Sequence, residues 1–161
     1  MKTHLRCALF VFIAGCTSHG ASQMDIQSQI DSLNNKIING YTPGLGEFMS
    51  SIQLHHAKLW FAGKNSNWEL ADFELGEIQE TLDDIQKFNR DRPEITELPI
   101  IKIPLDSVKV AISEKNPAAF KKSYILLTNS CNTCHQATKH GFNVIKIPDV
   151  SPVTNQSFEK Q

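Results

Sequence analysis

The residues with the most specific chemistry are two cysteines and a histidine in the segment Cys131-Asn132-Thr133-Cys134-His135. In a Cys-x-x-Cys-His pattern, the two thiols can add across the two vinyl groups of a haem to form thioethers. The two-residue gap matches the separation of those vinyl groups, and the adjacent histidine can reach the iron from the same side. The pattern therefore predicts covalent attachment of one haem c, with His135 as an axial ligand of its iron.

Two other kinds of site also use closely spaced cysteines. A redox-active dithiol lies at the start of a helix that follows a strand in an α/β chain, and no such strand is predicted here. A structural zinc site usually needs a second pair of ligands at comparable spacing, and the sequence offers none. Haem attachment is therefore the prediction that the Cys131–Cys134 pair supports best.

The N-terminus has the pattern of an export signal. Lys2 and Arg6 precede a short apolar stretch, residues 8–14, which has only about half of the ~20 apolar residues that a membrane span needs. We therefore predict that residues 1–15 are a signal peptide and exclude them from the fold. Export agrees with the haem motif, because c-type haem is attached outside the cytoplasm.

The end of this signal resembles the lipobox of bacterial lipoproteins, which precedes a cysteine that becomes lipidated. The residues that carry the resemblance are Ile13-Ala14-Gly15-Cys16. It implies a lipid anchor on Cys16 and a location on the periplasmic side of a bacterial membrane. Thr17, in place of an aspartate, favours the outer membrane. The alternative is a plain signal peptide that ends beside an incidental cysteine.

Apolar periodicity predicts an all-α fold. Residues 16–41 are predicted to form a lipid-anchored tether and a short amphipathic helix, whose stripe of Ile26, Ile30, Leu33 and Ile37 packs on the domain or pairs with a second copy as a homodimer. Residues 42–161 are predicted to form a four-helix bundle with an extended C-terminal tail.

Local signals predict where these helices begin and end. Thr42-Pro43 and Asn116-Pro117 each combine an N-cap residue with a proline at the first helical position. A capping box is predicted at residues 66–69, and Gly141 is predicted to end the last helix. Residues 91–104 contain three prolines and are predicted to be an extended connector.

With its haem motif on the last helix of an exported all-α chain, the protein resembles the four-helix cytochromes of the cytochrome c′ kind over roughly residues 42–141. In that family an aromatic and then a basic residue follow the histidine at three and four positions, which here are Thr138 and Lys139. The basic residue matches and the aromatic does not.

The resemblance implies that the first bundle helix covers the far face of the haem. Met49 and His56 both lie on its inward stripe, two turns or about 10 Å apart, so either could be the sixth iron ligand. For each of them, ordinary core packing is an equal alternative. His55 is predicted to be solvated.

The predicted function is electron transfer with a redox partner protein. The alternative on the same scaffold is a five-coordinate haem protein that binds nitric oxide or carbon monoxide. A small peroxidase would need an arginine beside a distal histidine, and Arg90 and Arg92 lie at a helix end, so we predict no enzyme activity. A haem-free structural lipoprotein is the remaining class. A net charge of −1 without a basic patch predicts no nucleic-acid partner.

Overall fold

A computed structural model describes residues 19–40 and 43–160 of this chain. The predicted signal peptide, the predicted lipidation site Cys16 and the predicted cap Thr42 lie outside these ranges. Within them the structure is all-helical, as predicted, and contains no strand. The helices are α1 (His19–Gly40), α2 (Leu45–Lys64), α3 (Trp68–Phe88), a 3₁₀ helix (Pro93–Ile101), α4 (Lys102–Ser113) and α5 (Pro117–Ala137).

The chain divides after residue 42 into two compact units. In the first, α1 exposes every side chain from residue 23 to residue 37. In the second, helices α2 to α5 share one apolar core to which the C-terminal segment adds Phe158. The apolar spacing between residues 71 and 85 predicts one inward face of a helix, and the structure confirms it, since the five residues of that pattern in α3 are buried: Ala71, Leu75, Ile78, Leu82 and Ile85. No helix in the described ranges combines the length and apolar character that crossing a membrane would require.

The helix starts agree only partly with the predictions. Asn116 is the N-cap of α5, and its side chain accepts a hydrogen bond from the Ala119 amide at 3.1 Å, as predicted. The cap of α3 is Asn67, which accepts from the Leu70 amide, so the predicted capping box at residue 66 is wrong by one position. Helix α2 begins at Leu45 with Gly44 as its N-cap, so the predicted start at Thr42-Pro43 is also wrong.

The end of α5 lies at Ala137, and Gly141 does not terminate it. Lys139 adopts the left-handed conformation with φ 65°, and the amide of His140 donates to the carbonyl of His135. This 6→1 bond, together with the bond from the Lys139 amide to the Gln136 carbonyl, is the Schellman motif. Glycine is the usual residue at this position, so the position of Gly141 misled the prediction.

The predicted extended connector is wrong as well. Residues 93–101 form the 3₁₀ helix and continue directly into α4. Pro93 is the first residue of the 3₁₀ helix, and Pro104 is in the first turn of α4, where an amide hydrogen has no intrahelical acceptor. Prolines at such positions support helix starts and do not prevent helix formation.

Gly63 allows α2 and α5 to approach closely. It is buried inside α2, and a Cβ atom at this position would overlap the ring of Phe120. The ring is itself buried among Trp60, Trp68 and Tyr124, so it has little room to move. The absence of a side chain at residue 63 therefore sets how closely α5 packs on α2.

A buried ionic cluster joins α2 to α3. The fully buried carboxylate of Glu74 lies 2.7 Å from His55 Nδ1 and 2.6 Å from Lys58 Nζ. The His55 side chain is only 16% exposed, so the prediction that it is solvated is wrong. Two basic partners compensate for burial of the acid, which would otherwise be strongly unfavourable.

Candidate functional site

A cavity of about 250 Å³ opens within the second unit of the chain, and its mouth continues into solvent. Its walls come from α2, α3, the 3₁₀ helix, α5 and the segment that follows α5. Much of the wall is aliphatic, formed by Leu45, Ile52, Leu82, Ile85, Leu98 and Ile101. Such a largely apolar cavity with a few polar groups is the usual form of a small-molecule or cofactor site.

The residues singled out from the sequence come together in this cavity. Cys131, Cys134 and His135 line one side, and Met49 and His56 of α2 line it as well. The helical spacing of α5 explains the first group, because residues three and four positions apart lie on one face. The inward stripe of α2 explains the second.

His135 is held in one tautomer by the backbone. Its Nδ1 lies 2.6 Å from the carbonyl oxygen of Asn143, and since a carbonyl only accepts, Nδ1 must donate. The proton of the neutral ring is therefore on Nδ1, and Nε2 keeps its lone pair. Metal-binding histidines have this same arrangement, in which the second nitrogen donates to a carbonyl or carboxylate and orients the ring.

The acceptor carbonyl is itself positioned from within the motif. The Asn132 amide group donates to the Ile145 carbonyl and accepts from the Ile145 amide, both at 2.8 Å. This pair of bonds fixes the segment after α5 against the helix, two residues from Asn143. Sequence analysis missed both asparagines, because a backbone carbonyl has no sequence signature and residue 132 is a variable position of the motif.

The two cysteines are not configured as reactive thiolates. Burial raises the pKa of Cys131 to about 11, with the neighbouring Cys134 as a second cause. Burial also raises the pKa of Cys134, and the carboxylates of Glu97 and Glu94 add to this effect. Both residues lie in the last two turns of α5, where the helix dipole disfavours negative charge. A redox dithiol has the opposite environment, at a helix N-terminus with a lowered pKa.

His56 is buried, and both of its ring nitrogens have hydrogen-bond partners. Nδ1 lies 3.0 Å from the Tyr124 hydroxyl, and Nε2 lies 3.0 Å from the Thr128 hydroxyl. The hydroxyls of Tyr124 and Thr128 also lie 2.8 and 3.0 Å from the backbone carbonyls of His56 and Tyr124 respectively. Because the neutral ring has a single N–H, it can donate to one of the two hydroxyls, and its other nitrogen shares the single proton of the second hydroxyl with a carbonyl. Burial lowers the pKa of His56 to about 4, so the ring is neutral at physiological pH.

Tyr124 completes this network as a neutral hydrogen-bonding group. Its ring stacks on that of His56 with centroids 4.5 Å apart and also contacts Trp60. Burial, with Cys131 as a second cause, raises the pKa of its phenol well above the ordinary value. Tyr124 is therefore a core residue, and the partly buried Trp60 packs against the core.

The 3₁₀ helix brings charged groups to the cavity wall. Arg92, Glu94 and Glu97 all line it, although the sequence had placed Arg92 at a helix end remote from the site. Arg92 binds Glu94 through two nitrogens, at 3.2 and 2.9 Å, and this interaction holds the pKa of Glu94 below its usual range. The guanidinium is thus already paired with a carboxylate. His140 also lines the cavity, and its Nδ1 lies 3.2 Å from the Thr138 hydroxyl.

No known protein family matches this sequence, no curated protein is detectably similar to it, and no solved structure matches its fold. Within residues 19–40 and 43–160, no group of three or more histidine, cysteine or acidic side chains is arranged to hold a metal ion. Axial ligation of a haem iron uses only one or two side chains, so that finding does not bear on the histidine of the motif.

Proposed function

We propose that this protein is an exported, lipid-anchored c-type cytochrome of the four-helix-bundle kind, with one covalent haem, and that it functions in electron transfer. One observation carries the proposal. The cavity is lined by both cysteines of the motif and by a histidine whose Nε2 is left free by the bond from Nδ1 to Asn143. Each group that the motif requires is therefore available to the same cofactor.

The donor set fits haem c. Cys131 and Cys134 would hold it through thioethers, and His135 would bind the iron through Nε2. Neutral, half-buried thiols agree with this role, since the positive charge in the cavity wall, Arg92, is paired with Glu94, and Glu94 and Glu97 disfavour a free thiolate at Cys134. The bound haem would supply a one-electron redox couple. The aliphatic wall would exclude water from that centre and limit its reorganisation.

Met49 is the better candidate for the sixth ligand. His56 could bind iron only if one of its bonds to Tyr124 and Thr128 were broken, which would cost a buried hydrogen bond. Met49 is half-buried and lines the same cavity, and ligation by its sulfur leaves that network intact. Ligation by methionine would give a higher reduction potential than ligation by histidine.

Both ring nitrogens of His56 already have hydrogen-bond partners, and this observation also favours a second candidate function. If Met49 does not reach the iron either, the sixth position stays open and the protein is a binder of nitric oxide or carbon monoxide. We do not propose enzyme activity, because the arginine in the cavity wall is held by Glu94. The lipid anchor on Cys16, the periplasmic location and the preference for the outer membrane remain proposals from the sequence.

The test is production of the chain together with the haem-attachment machinery, followed by haem staining on a denaturing gel. Cys131→Ala and Cys134→Ala should each reduce covalent haem strongly. Thr133→Ala is the matched control within the motif, since its hydroxyl bonds to the Asn129 carbonyl on the exposed side of α5. The proposal fails if the wild-type protein carries no haem under these conditions.

Optical spectra separate the two functions. A low-spin spectrum that becomes high-spin in Met49→Ala, and not in His56→Gln, supports electron transfer with Met49 as ligand. A high-spin wild-type spectrum that changes on adding nitric oxide supports the gas-binding alternative.

A further inference from the structure

Helix α1 carries an apolar stripe that faces solvent. Ile26, Ile30, Leu33 and Ile37 recur at spacings of 4, 3 and 4, and their side chains are 54, 44, 57 and 76% exposed. Four large aliphatic side chains on one line along a helix are more than the scattered apolar residues expected on a surface.

The width of the stripe shows which kind of surface it fits. A helix that packs on a globular core usually has apolar residues at a third heptad position beside a and d, whereas a stripe at a and d alone is the seam of a coiled coil. If Ile30 and Ile37 occupy position a of the heptad, Ile26 and Leu33 occupy position d. The flanking e and g positions are then all polar: Gln27, Gln29, Asn34 and Lys36. A helix lying on a membrane surface would also be rich in lysine and arginine, and residues 23–37 contain one lysine and two aspartates.

We propose that α1 pairs with α1 of a second copy of this chain as a parallel, in-register coiled coil. In that register Gln29 of one copy faces Asn34 of the other, so no like charges oppose each other across the seam. Charged residues at e and g positions can direct a helix toward a partner with a different sequence. Lys36 is the one charged residue among the four e and g residues of this stripe. Isoleucine at position a combined with leucine at position d, as in Ile30 and Leu33, favours a coiled coil of two helices. Isoleucine at position d, as in Ile26, also permits three helices.

The parallel orientation rests on the proposed lipid anchor. Copies anchored at Cys16 would all have the N-terminus of α1 at the same membrane face, and confinement to one membrane raises the effective concentration of one helix for another. The pairing itself does not depend on haem. A chain without haem could still self-associate, so failure of this inference and failure of the proposed function are distinguishable.

The experiment measures the molar mass of the chain from Thr17 to Gln161 by light scattering. The protein concentration is raised to about 1 mM. The mass should rise with concentration to that of two or three chains. Ile30→Asp should weaken association at least about tenfold, because each copy would place an unpaired charge in the seam. Asn35→Asp adds the same charge at an exposed position outside the seam and should leave the mass unchanged. A single-chain mass at the highest concentration, or equal effects of the two substitutions, overturns the proposal.

Disulfide formation tests the orientation. In a parallel pair, residue 30 faces its own counterpart, whereas in an antiparallel pair it faces residue 33. Ile30→Cys should therefore give a rapid cross-linked dimer on oxidation, and Asn35→Cys should not. In both variants Cys131→Ser and Cys134→Ser remove the native thiols, and circular dichroism confirms that the helices are retained. A dimer by mass without the cross-link from residue 30 overturns the parallel arrangement.

Discussion

The buried, neutral state of His56 predicts a specific loss of stability in acid. The ordinary pKa of 6.5 applies to this histidine in the unfolded chain, and burial lowers its pKa to about 4 in the fold. Between these values the unfolded chain binds a proton that the folded chain does not. Stability is therefore complete above pH 6.5 and falls as the pH is lowered toward 4. At about 1.4 kcal/mol for each pH unit, the loss is about 3 kcal/mol in the free energy of unfolding.

Urea unfolding followed by circular dichroism measures this effect from about pH 7 to about pH 4. Carboxyl groups titrate over the same range, so the quantity that matters is the difference between wild type and His56→Gln. Glutamine keeps hydrogen-bonding groups near Tyr124 and Thr128 but does not titrate. The profile of the variant should be flatter by about 3 kcal/mol over this interval. If the two profiles are parallel, the ring is not held neutral by burial and the reasoning is refuted.

Three further substitutions test the packing around the site. Gly63→Ala should lower the free energy of unfolding by about 1–3 kcal/mol, because the new methyl group would overlap the Phe120 ring, and urea titration measures this. Glu74→Gln should cost about 1–3 kcal/mol in the same assay, because it weakens the charge-assisted contacts of the buried carboxylate with the partly buried Lys58 and His55. Asn132→Ala should cost about 1–3 kcal/mol and speed hydrogen exchange in the segment after α5, since it removes two hydrogen bonds.

Each of these has a matched control substitution. Gly76→Ala places a methyl group in open space on α3 and should not destabilise the protein. Glu77→Gln removes the more exposed acid of the ionic cluster, 3.9 Å from His55, and should change stability by less than about 0.5 kcal/mol. For Asn132→Ala the control is Thr133→Ala, and equal exchange rates in the two variants would contradict the role of the asparagine.

The long helices were predictable because their signals are periodic and local. The inward face of α3 follows from its apolar spacing alone, and the start of α5 follows from an asparagine followed by a proline. The same holds for the cavity residues, since Met49 and His56 share a stripe on one helix and the haem motif lies on one face of another.

The errors have two physical causes: local backbone conformation decided the connector and the end of α5, and a tertiary contact decided the burial of His55. Three prolines suggested an extended segment, but two of them lie at helix starts, where their lack of an amide hydrogen is harmless. Lys139 ends α5 in a conformation that glycine adopts more easily. The burial of His55 depends on Glu74, which is nineteen positions away in sequence, so periodicity on α2 could not reveal it.

The C-terminal segment has a consequence for the order in which the chain can fold. Phe158 is buried against Phe61, and the Glu159 carbonyl accepts a hydrogen bond from Asn67, 92 positions earlier. Contacts between such distant residues form late, because the intervening chain must first be brought together. The core of the second unit cannot be completed during synthesis until Phe158 has left the ribosome. Until then the second unit lacks the contact between Phe158 and Phe61 and is incompletely packed.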